Sequence, residues 1–291
     1  MSAITGFEHL VRENQSLAPY TRLNLGGVAE FFAEPTTQDE LTGLVKQFHE
    51  HGHSIRLIGR GSNILVRNDG VPGLVLHLSA PAFCQLDVDG NRLVAGGGAQ
   101  LSHFVSTCVR EGLAGPENLV GVPGSIGGAL HSNTGAQGVD IGSWVQSAKV
   151  LTRAGEIHER TLDQLSFSYG KSSLDELVIL SAEFQFEKED PEVLTRQLQK
   201  LWIVRRATQP ISENAIYIFK DDSVETATEL IERAGAKGMQ VGAVEVSEKD
   251  PNLFVAGKGA TSDDVLKLME MVQNQVQERV GVEIEPAVQI W

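Results

Sequence analysis

Apolar residues recur along this chain with two periods, one helical and one of strands. From Thr36 to Gly52, TTQDELTGLVKQFHEHG places Leu41, Leu44, Val45 and Phe48 at helical spacing behind a Thr37/Glu40 capping box, with Gly52 able to end it. The pattern predicts an amphipathic helix. Short apolar runs at 55–58, 64–66, 74–78 and 92–95 predict strands, and the first two hold the turn Gly59-Arg60-Gly61-Ser62-Asn63 between them. Gly96-Gly97-Gly98 leads into a helix predicted from about Ser102 to Arg110 and closed by Gly112. Residues 116–142, PENLVGVPGSIGGALHSNTGAQGVDIG, read as a long loop. In a compact domain such a loop points to function, and its interspersed Leu, Val and Ile argue against disorder. Strands are predicted again at 148–152 and 178–186, the second alternating so that one face is buried.

The charged run Lys188-Glu189-Asp190-Pro191 interrupts the pattern, and the principal domain boundary is expected there. This gives residues 1–188, in two subdomains of about 1–78 and 79–188, followed by 189–291. The second part opens with a helix whose apolar stripe is Val193, Leu194, Leu198, Leu201 and Trp202, and continues with one at about 224–234 stopped by Gly235. A longer helix starts at Ser262 with Asp263 and Asp264 in its first turn, and carries Val265, Leu268, Met269, Val272, Val276 and Val280. The middle of the chain mixes strands, turns and short helices.

Composition narrows the class. The chain has 291 residues, 41% of them hydrophobic, enough for several cores and incompatible with disorder. Cys84 and Cys108 match neither a zinc spacing nor a disulfide framework, so they read as small buried hydrophobes, no metal site is expected, and a reducing cytoplasm is the expected location. The first ten residues carry Glu8 and His9 without the basic and apolar regions of an export signal. No apolar run approaches the roughly 20 residues that span a bilayer, so no membrane partner is expected. With 24 Lys+Arg against 38 Asp+Glu the net charge is −14, which opposes nonspecific nucleic-acid binding. A monomer acting on small-molecule ligands is expected, and an anionic ligand would need cations gathered locally.

Two Gly-rich loops carry candidate chemistry. Gly59-Arg60-Gly61-Ser62-Asn63 is flanked by strands on both sides and lacks the third glycine that opens a helix in a dinucleotide fingerprint. It is either a plain tight turn or a nest of backbone N–H groups for phosphate oxygens, with Ser62 and Asn63 adding side-chain donors. Gly121-Val122-Pro123-Gly124-Ser125-Ile126-Gly127-Gly128 is the second such loop. A pyrophosphate ligand lying between the two would account for both.

A series of motifs in one order extends the reading. Thr21-x-Leu23-x-Leu25-Gly26-Gly27-x-Ala29, GRGSNILV at 59–66, GVPGSIGG at 121–128, Asn133-Thr134-Gly135-Ala136-x-Gly138 and Phe167-Ser168-Tyr169 come first. Gln209-Pro210, Phe219-Lys220, Ala234-Gly235-Ala236-Lys237-Gly238, Val246-Ser247-Glu248 and Gly281-Val282-x-Ile284-Glu285 follow. The series resembles the UDP-N-acetylenolpyruvoylglucosamine reductase family, in its shorter form, over nearly the whole chain. The resemblance implies an FAD-binding fold of the vanillyl-alcohol-oxidase (PCMH) type with a C-terminal α+β substrate domain. It implies FAD held by Gly59–Asn63, the 121–128 loop, Asn133 and Gly135, NADPH as reductant, and a UDP-sugar substrate contacted by Tyr169 and Lys220. The implied reaction is reduction of the enolpyruvyl group to give UDP-N-acetylmuramate for peptidoglycan, with a serine as proton donor and an arginine and a glutamate polarising the substrate.

At those three positions the chain departs from the family. Gly170 stands where the arginine would follow Tyr169, Tyr217 where the serine would precede Phe219 by two, and Ala287 where the glutamate would precede Val288. Lys171, Tyr217 and Glu285 are the nearest substitutes, while Asp221 and Asp222 beside Lys220 would repel a UDP pyrophosphate. Three readings stay open: a reductase with substituted groups, an inactive flavin- or nucleotide-binding homologue with a regulatory role, and a flavin oxidoreductase acting on another substrate.

Overall fold

The capping box at Thr37 forms as expected. Thr37 Oγ1 accepts from the Glu40 N–H, the Glu40 carboxylate accepts from the Thr37 N–H, and helix α1 (Gln38–Glu50) buries Leu41, Leu44, Val45 and Phe48. The computed structural model describes residues 4–209, 214–221 and 225–291. It divides into two compact units, Met1–Asn14 with Glu30–Arg60 and Pro72–Val204, and Gln15–Ala29 with Gly61–Val71 and Arg205–Trp291.

In the first unit, strands β1 (Val11–Ser16), β2 (Val28–Ala33), β3 (Ile55–Ile58) and β5 (Val71–His77) form a sheet in the order β1-β2-β5-β3. β3 and β5 run parallel with Ile55 opposite Leu74, and Ile55, Leu74 and Leu76 share a core with the buried face of α1. A second sheet is antiparallel, in the order β11 (Ile157–Thr161), β10 (Val145–Leu151), β14 (Val178–Gln185), β7 (Arg92–Gly96) and β6 (Leu86–Asp89). Helix α2 (Leu101–Arg110) packs Phe104 against Phe184, with ring centroids 4.9 Å apart, in a core that also holds Ile126 and Leu130 of helix α3 (Ile126–His131).

Residues 116–142 are more ordered than a loop reading allows. They contain a 3-10 turn at Pro116–Leu119, α3, and a small hairpin of β8 (Gly135–Ala136) and β9 (Val139–Asp140). Their glycine content hid α3, whose stability comes from burying Ile126, Ala129 and Leu130 rather than from intrinsic propensity. A further hairpin, β12 (Phe167–Ser168) with β13 (Lys171–Ser172), closes through Tyr169-Gly170. Helix α4 (Pro191–Thr208) forms the expected stripe in part: Leu194 is buried, Val193, Leu198 and Leu201 are half-buried, and Trp202 is 44% exposed. Trp202, Ile203 and Val204 are consecutive, so about 100° separates each from the next and they cannot share one face.

The second unit is built on an antiparallel sheet in the order β15 (Ala215–Tyr217), β18 (Leu253–Ala256), β17 (Val244–Val246) and β16 (Gln240–Val241). Helices α5 (Ala227–Arg233) and α6 (Ser262–Val280) share its core. Both start with capping boxes, Thr226/Glu229 and Thr261/Asp264, and α6 ends at Gly281 in the left-handed region. The helix expected from 224 therefore begins at Ala227, with Val224 itself outside the described residues.

Contact grouping differs from a single cut near residue 188. The C-terminal strand β19 (Gln289–Ile290) pairs in parallel with β4 (Ile64–Leu65), and Leu23 and Leu65 lie in one core with Ile216, Ile231 and Val272. The strand pairing joins residues more than two hundred positions apart and the core contacts residues more than one hundred and fifty apart, which a scan along the chain does not register.

Candidate functional site

The expected cofactor residues are placed by two sharp backbone features. In the first unit, a Cβ on Gly59 would lie 2.5 Å from Ser125 Oγ, so the start of the 59–63 turn rests directly on the 121–128 loop. Ser125 caps α3 by accepting from the Gly128 N–H at 3.3 Å, while Gly127 N donates to Gly97 O and Ile126 N to Ala99 O. Those bonds fix the loop from within. The N–H groups of Gly121, Gly124 and Ser125 find no acceptor among the described residues.

The 59–63 turn behaves the same way. None of the five successive N–H groups from Gly59 to Asn63 has an acceptor among the described residues. Gly61 is buried with φ +58°, and a Cβ there would meet Tyr20 O at 2.1 Å, so only glycine fits; its carbonyl accepts from the Arg22 N–H. Buried or half-buried N–H groups left without partners call for an acceptor from outside the protein. A run of them in a Gly-rich turn suits phosphate oxygens, so the residues fit an FAD pyrophosphate on the chemistry of the donor set. Arg60 is exposed, and Ser62 is half-buried.

Other expected cofactor residues are engaged inside the chain. Asn133 is buried, with Nδ2 donating to Ser168 O at 2.8 Å and Oδ1 accepting from Gly142 N at 3.0 Å. It thereby holds the β12–β13 hairpin in place. Gly135 lies opposite Asp140 in the β8–β9 hairpin. Asn63 gives one amide hydrogen to Ala287 O at 3.2 Å.

The three positions that depart from the family can be followed individually. Gly170 sits at the hairpin tip with φ +66° and open space around it; Tyr169 beside it is 69% exposed and Lys171 is exposed. Tyr217 ends β15, its hydroxyl donating to Asp250 Oδ2 at 2.9 Å and accepting from Gln209 Nε2 at 2.6 Å. Asp250 Oδ1 in turn accepts from Thr228 Oγ1 at 2.9 Å. Burial, and then the charge of Asp250, push the phenol well above the ordinary tyrosine range. Arg205, at the end of α4, is the nearby cation: burial pushes it down from the usual arginine value, and Tyr217 and Asp250 oppose that shift. Ala287 brings only backbone groups, its N–H donating to Ile218 O at 2.7 Å.

Lys220 Nζ pairs with Glu285 Oε2 at 2.9 Å, so the expected substrate anchor and the expected substitute carboxylate lie against each other. Asp221 accepts from the Ala227 N–H at 2.8 Å in the first turn of α5, a structural duty that its reading as a repelling charge omitted. Asp222 lies outside the described residues. Sequence reasoning missed Arg205, Asp250 and Asn252. Asn252 is buried and exchanges two bonds with Phe219, accepting from its N–H and donating to its carbonyl, each at 2.9 Å. Its signal was an asparagine next to the apolar run Leu253-Phe254-Val255. Among the described residues no cluster of His, Cys, Asp and Glu is placed to hold a metal, and no helix is long and apolar enough to cross a membrane.

Comparison with known proteins bears on this geometry. Residues 29–161 match a family model described as an FAD binding domain, and residues 209–291 match the UDP-N-acetylenolpyruvoylglucosamine reductase C-terminal domain. A UDP-N-acetylenolpyruvoylglucosamine reductase of Rhodopirellula baltica is 42% identical over 97% of this chain and 93% of its own length. One from Bacillus pumilus is 34% identical over 96% and 93%. The crystal structure of UDP-N-acetylenolpyruvylglucosamine reductase from Thermus caldophilus superimposes with a TM-score of 0.81 at 28% identity, covering 97% of this chain and 99% of that one. Phl p 4.0202, a glucose dehydrogenase, shares the fold alone, with a TM-score of 0.52 at 15% identity over 75% of this chain and 51% of its own. The architecture is thus an α+β FAD-binding fold with a C-terminal domain.

Proposed function

The chain belongs to the UDP-N-acetylenolpyruvoylglucosamine reductase family, FAD flavoproteins of peptidoglycan synthesis, and from that premise we propose that it binds FAD and accepts hydride from NADPH but lacks the family's proton-transfer groups. Bound FAD would take hydride from the nicotinamide and pass it to an acceptor. The N–H groups of Gly59–Asn63, which have no acceptor among the described residues, would hold its pyrophosphate, and Arg60 would add the local cation that an acidic protein needs for a polyanion. Asn133 keeps the Tyr169 hairpin in position. The proposed setting is the cytoplasm, with a monomer acting on small nucleotide ligands.

The acceptor side differs. One observation carries this conclusion: the Tyr217 proton is directed at Asp250, and burial makes the phenol a weaker acid than free tyrosine. With Gly170 and Ala287 at the other two positions, no group there meets an enolate-like charge as the family arginine and glutamate would. A general acid is worth about 10²–10⁴ in rate and a preorganised charge stabiliser about 10²–10³. Reduction of the enolpyruvyl-UDP-sugar is therefore expected to be slower than the family reaction by at least about 10²-fold.

A second reading keeps the family reaction, with Tyr217 as the proton donor, and is favoured by the hydroxyl standing at the serine's position with Arg205 nearby. Anaerobic stopped-flow absorbance separates the two. The first reading expects a yellow protein that NADPH bleaches and that UDP-N-acetylenolpyruvoylglucosamine reoxidises only slowly. Fast reoxidation that Tyr217→Phe abolishes would establish the second. A protein that neither contains nor takes up FAD refutes both.

A further inference from the structure

Within the second unit, residues Glu285–Trp291 bond alternately to two different segments. Toward 218–220, Lys220 N donates to Glu285 O at 2.9 Å, Phe219 and Pro286 form an antiparallel bridge, and Ala287 N donates to Ile218 O at 2.7 Å. Toward 63–67, Ala287 O accepts from Asn63 Nδ2, Gln289 N donates to Asn63 O at 2.9 Å, Trp291 N donates to Leu65 O at 2.9 Å, and Arg67 N donates to Trp291 O at 2.9 Å. Ile284 and Val288 anchor the segment in the core beside Leu65, Ile218 and Phe219.

Asn63 grips this segment twice, by its carbonyl and by its side chain. It is also the last residue of the turn whose N–H groups have no acceptor among the described residues. An anion that ties down Gly61, Ser62 and Asn63 therefore restrains the segment at two points, and the segment restrains Ile218–Lys220 through its other edge. Asn252 clamps Phe219 from the opposite side, so little freedom remains between Asn63 and Tyr217.

We infer that Asn63 is a positioning residue: through the extended segment Glu285–Trp291, cofactor occupancy of the turn sets the place of residues 217–220 and 287, where the family's proton donor and carboxylate stand. The inference rests on the FAD reading and adds to it a mechanical coupling between the cofactor turn and the acceptor side. A residue with only a structural role would stabilise these segments equally with and without cofactor, whereas a positioning residue makes their order depend on it.

Hydrogen exchange read by mass spectrometry on the full chain, with and without saturating FAD, tests this, with flavin fluorescence quenching reporting binding independently. In the native chain FAD should slow exchange of the Ala287, Gln289 and Trp291 amides by about tenfold or more, because their opening would become coupled to release of the turn. Asn63→Ala keeps the backbone N–H of the turn and removes only the side-chain bond to Ala287 O, so that slowing should disappear at Ala287 and at 218–220 while FAD is still taken up, if more weakly. FAD binding with unchanged exchange over 285–291 overturns the coupling and leaves the FAD reading standing. Slowing that persists in Asn63→Ala, or an Asn63→Ala protein that no longer binds FAD at any concentration, overturns the role of Asn63. Failure of the native chain to bind FAD overturns both readings.

Discussion

Gly59→Ala gives a quantitative probe of the contact between the two Gly-rich loops. Gly59 does not have a positive φ, so alanine fits its backbone, and the added Cβ would lie 2.5 Å from Ser125 Oγ but 3.5 Å from Ser125 Cβ. Only the hydroxyl is in the way. Rotating it aside forfeits the cap on Gly128 N, an interaction whose loss costs about 1 kcal/mol. Ser125→Ala removes the same cap and should cost the same, about 1 kcal/mol. Once the hydroxyl is gone, Gly59→Ala should cost nothing and can stabilise by about 0.5 kcal/mol through reduced unfolded-state entropy. The double variant is thus expected to lose about 0.5–1 kcal/mol instead of the additive loss of about 1.5–2, a coupling of about 1 kcal/mol that lies well outside the roughly 0.3–0.5 kcal/mol scatter of independent sites. Urea unfolding of the four proteins without added FAD, at matched m-values, measures the cycle. Additive losses would refute the reasoning, since they would mean that the added methyl acts through something other than Ser125 Oγ.

Three other outcomes are expected. Asn252→Ala leaves the Phe219 N–H and carbonyl buried without their partners and should destabilise by about 2–4 kcal/mol in urea unfolding, whereas a loss below about 1 kcal/mol would show that the clamp is dispensable. Gly170→Arg, which replaces the hairpin glycine with the family's residue, meets no neighbour but forces a side chain into φ +66° and should cost about 1–2 kcal/mol, with no loss contradicting the left-handed tip. In an ultraviolet pH titration, one of the chain's three tyrosines should stay protonated above the usual phenol range near 10, and Asp250→Asn should bring it part of the way down. Because the folded-state value is the higher one, the stability linked to Tyr217 is full below about pH 10 and is lost as pH rises toward that value, so Tyr217→Phe should flatten the alkaline loss seen in thermal melts.

Local signals were read from the chain more readily than long-range ones. Thr37 with Glu40, the Leu41/Leu44/Val45/Phe48 face and the acidic start of the helix at Ser262 declare themselves within a few residues, because caps and amphipathic periods are local physics. The short helix at Ile126 was hidden by Gly127 and Gly128, whose poor propensity is overcome by burial against α2 and the second sheet. At the site, the Gly59–Asn63 turn was visible as a glycine pattern, but the partnering of Tyr217 with Asp250, of Lys220 with Glu285 and of Asn63 with Ala287 was not. Each joins side chains or backbone that only the folded topology brings together. The same holds for Asp221, whose charge suggests repulsion in the sequence but whose carboxylate accepts from the Ala227 N–H at the start of α5.

The pairing of β4 with β19 has a consequence for how the protein is made. Gln289 and Ile290 complete the strand that steadies the 63–67 segment, and Asn63 reaches Ala287 across 224 positions of sequence. Closing so long a loop carries an entropic penalty that grows only slowly with length, but contacts of such high sequence separation form late and slow the search for the native state. During vectorial synthesis, residues 15–29 and 61–71 emerge early and must wait, with Leu23 and Leu65 unburied, until the partners that begin at Ile216 leave the ribosome. The nascent chain therefore passes through a long interval in which its early-emerging apolar surface lacks the partners between Ile216 and Val288 that cover it in the folded protein.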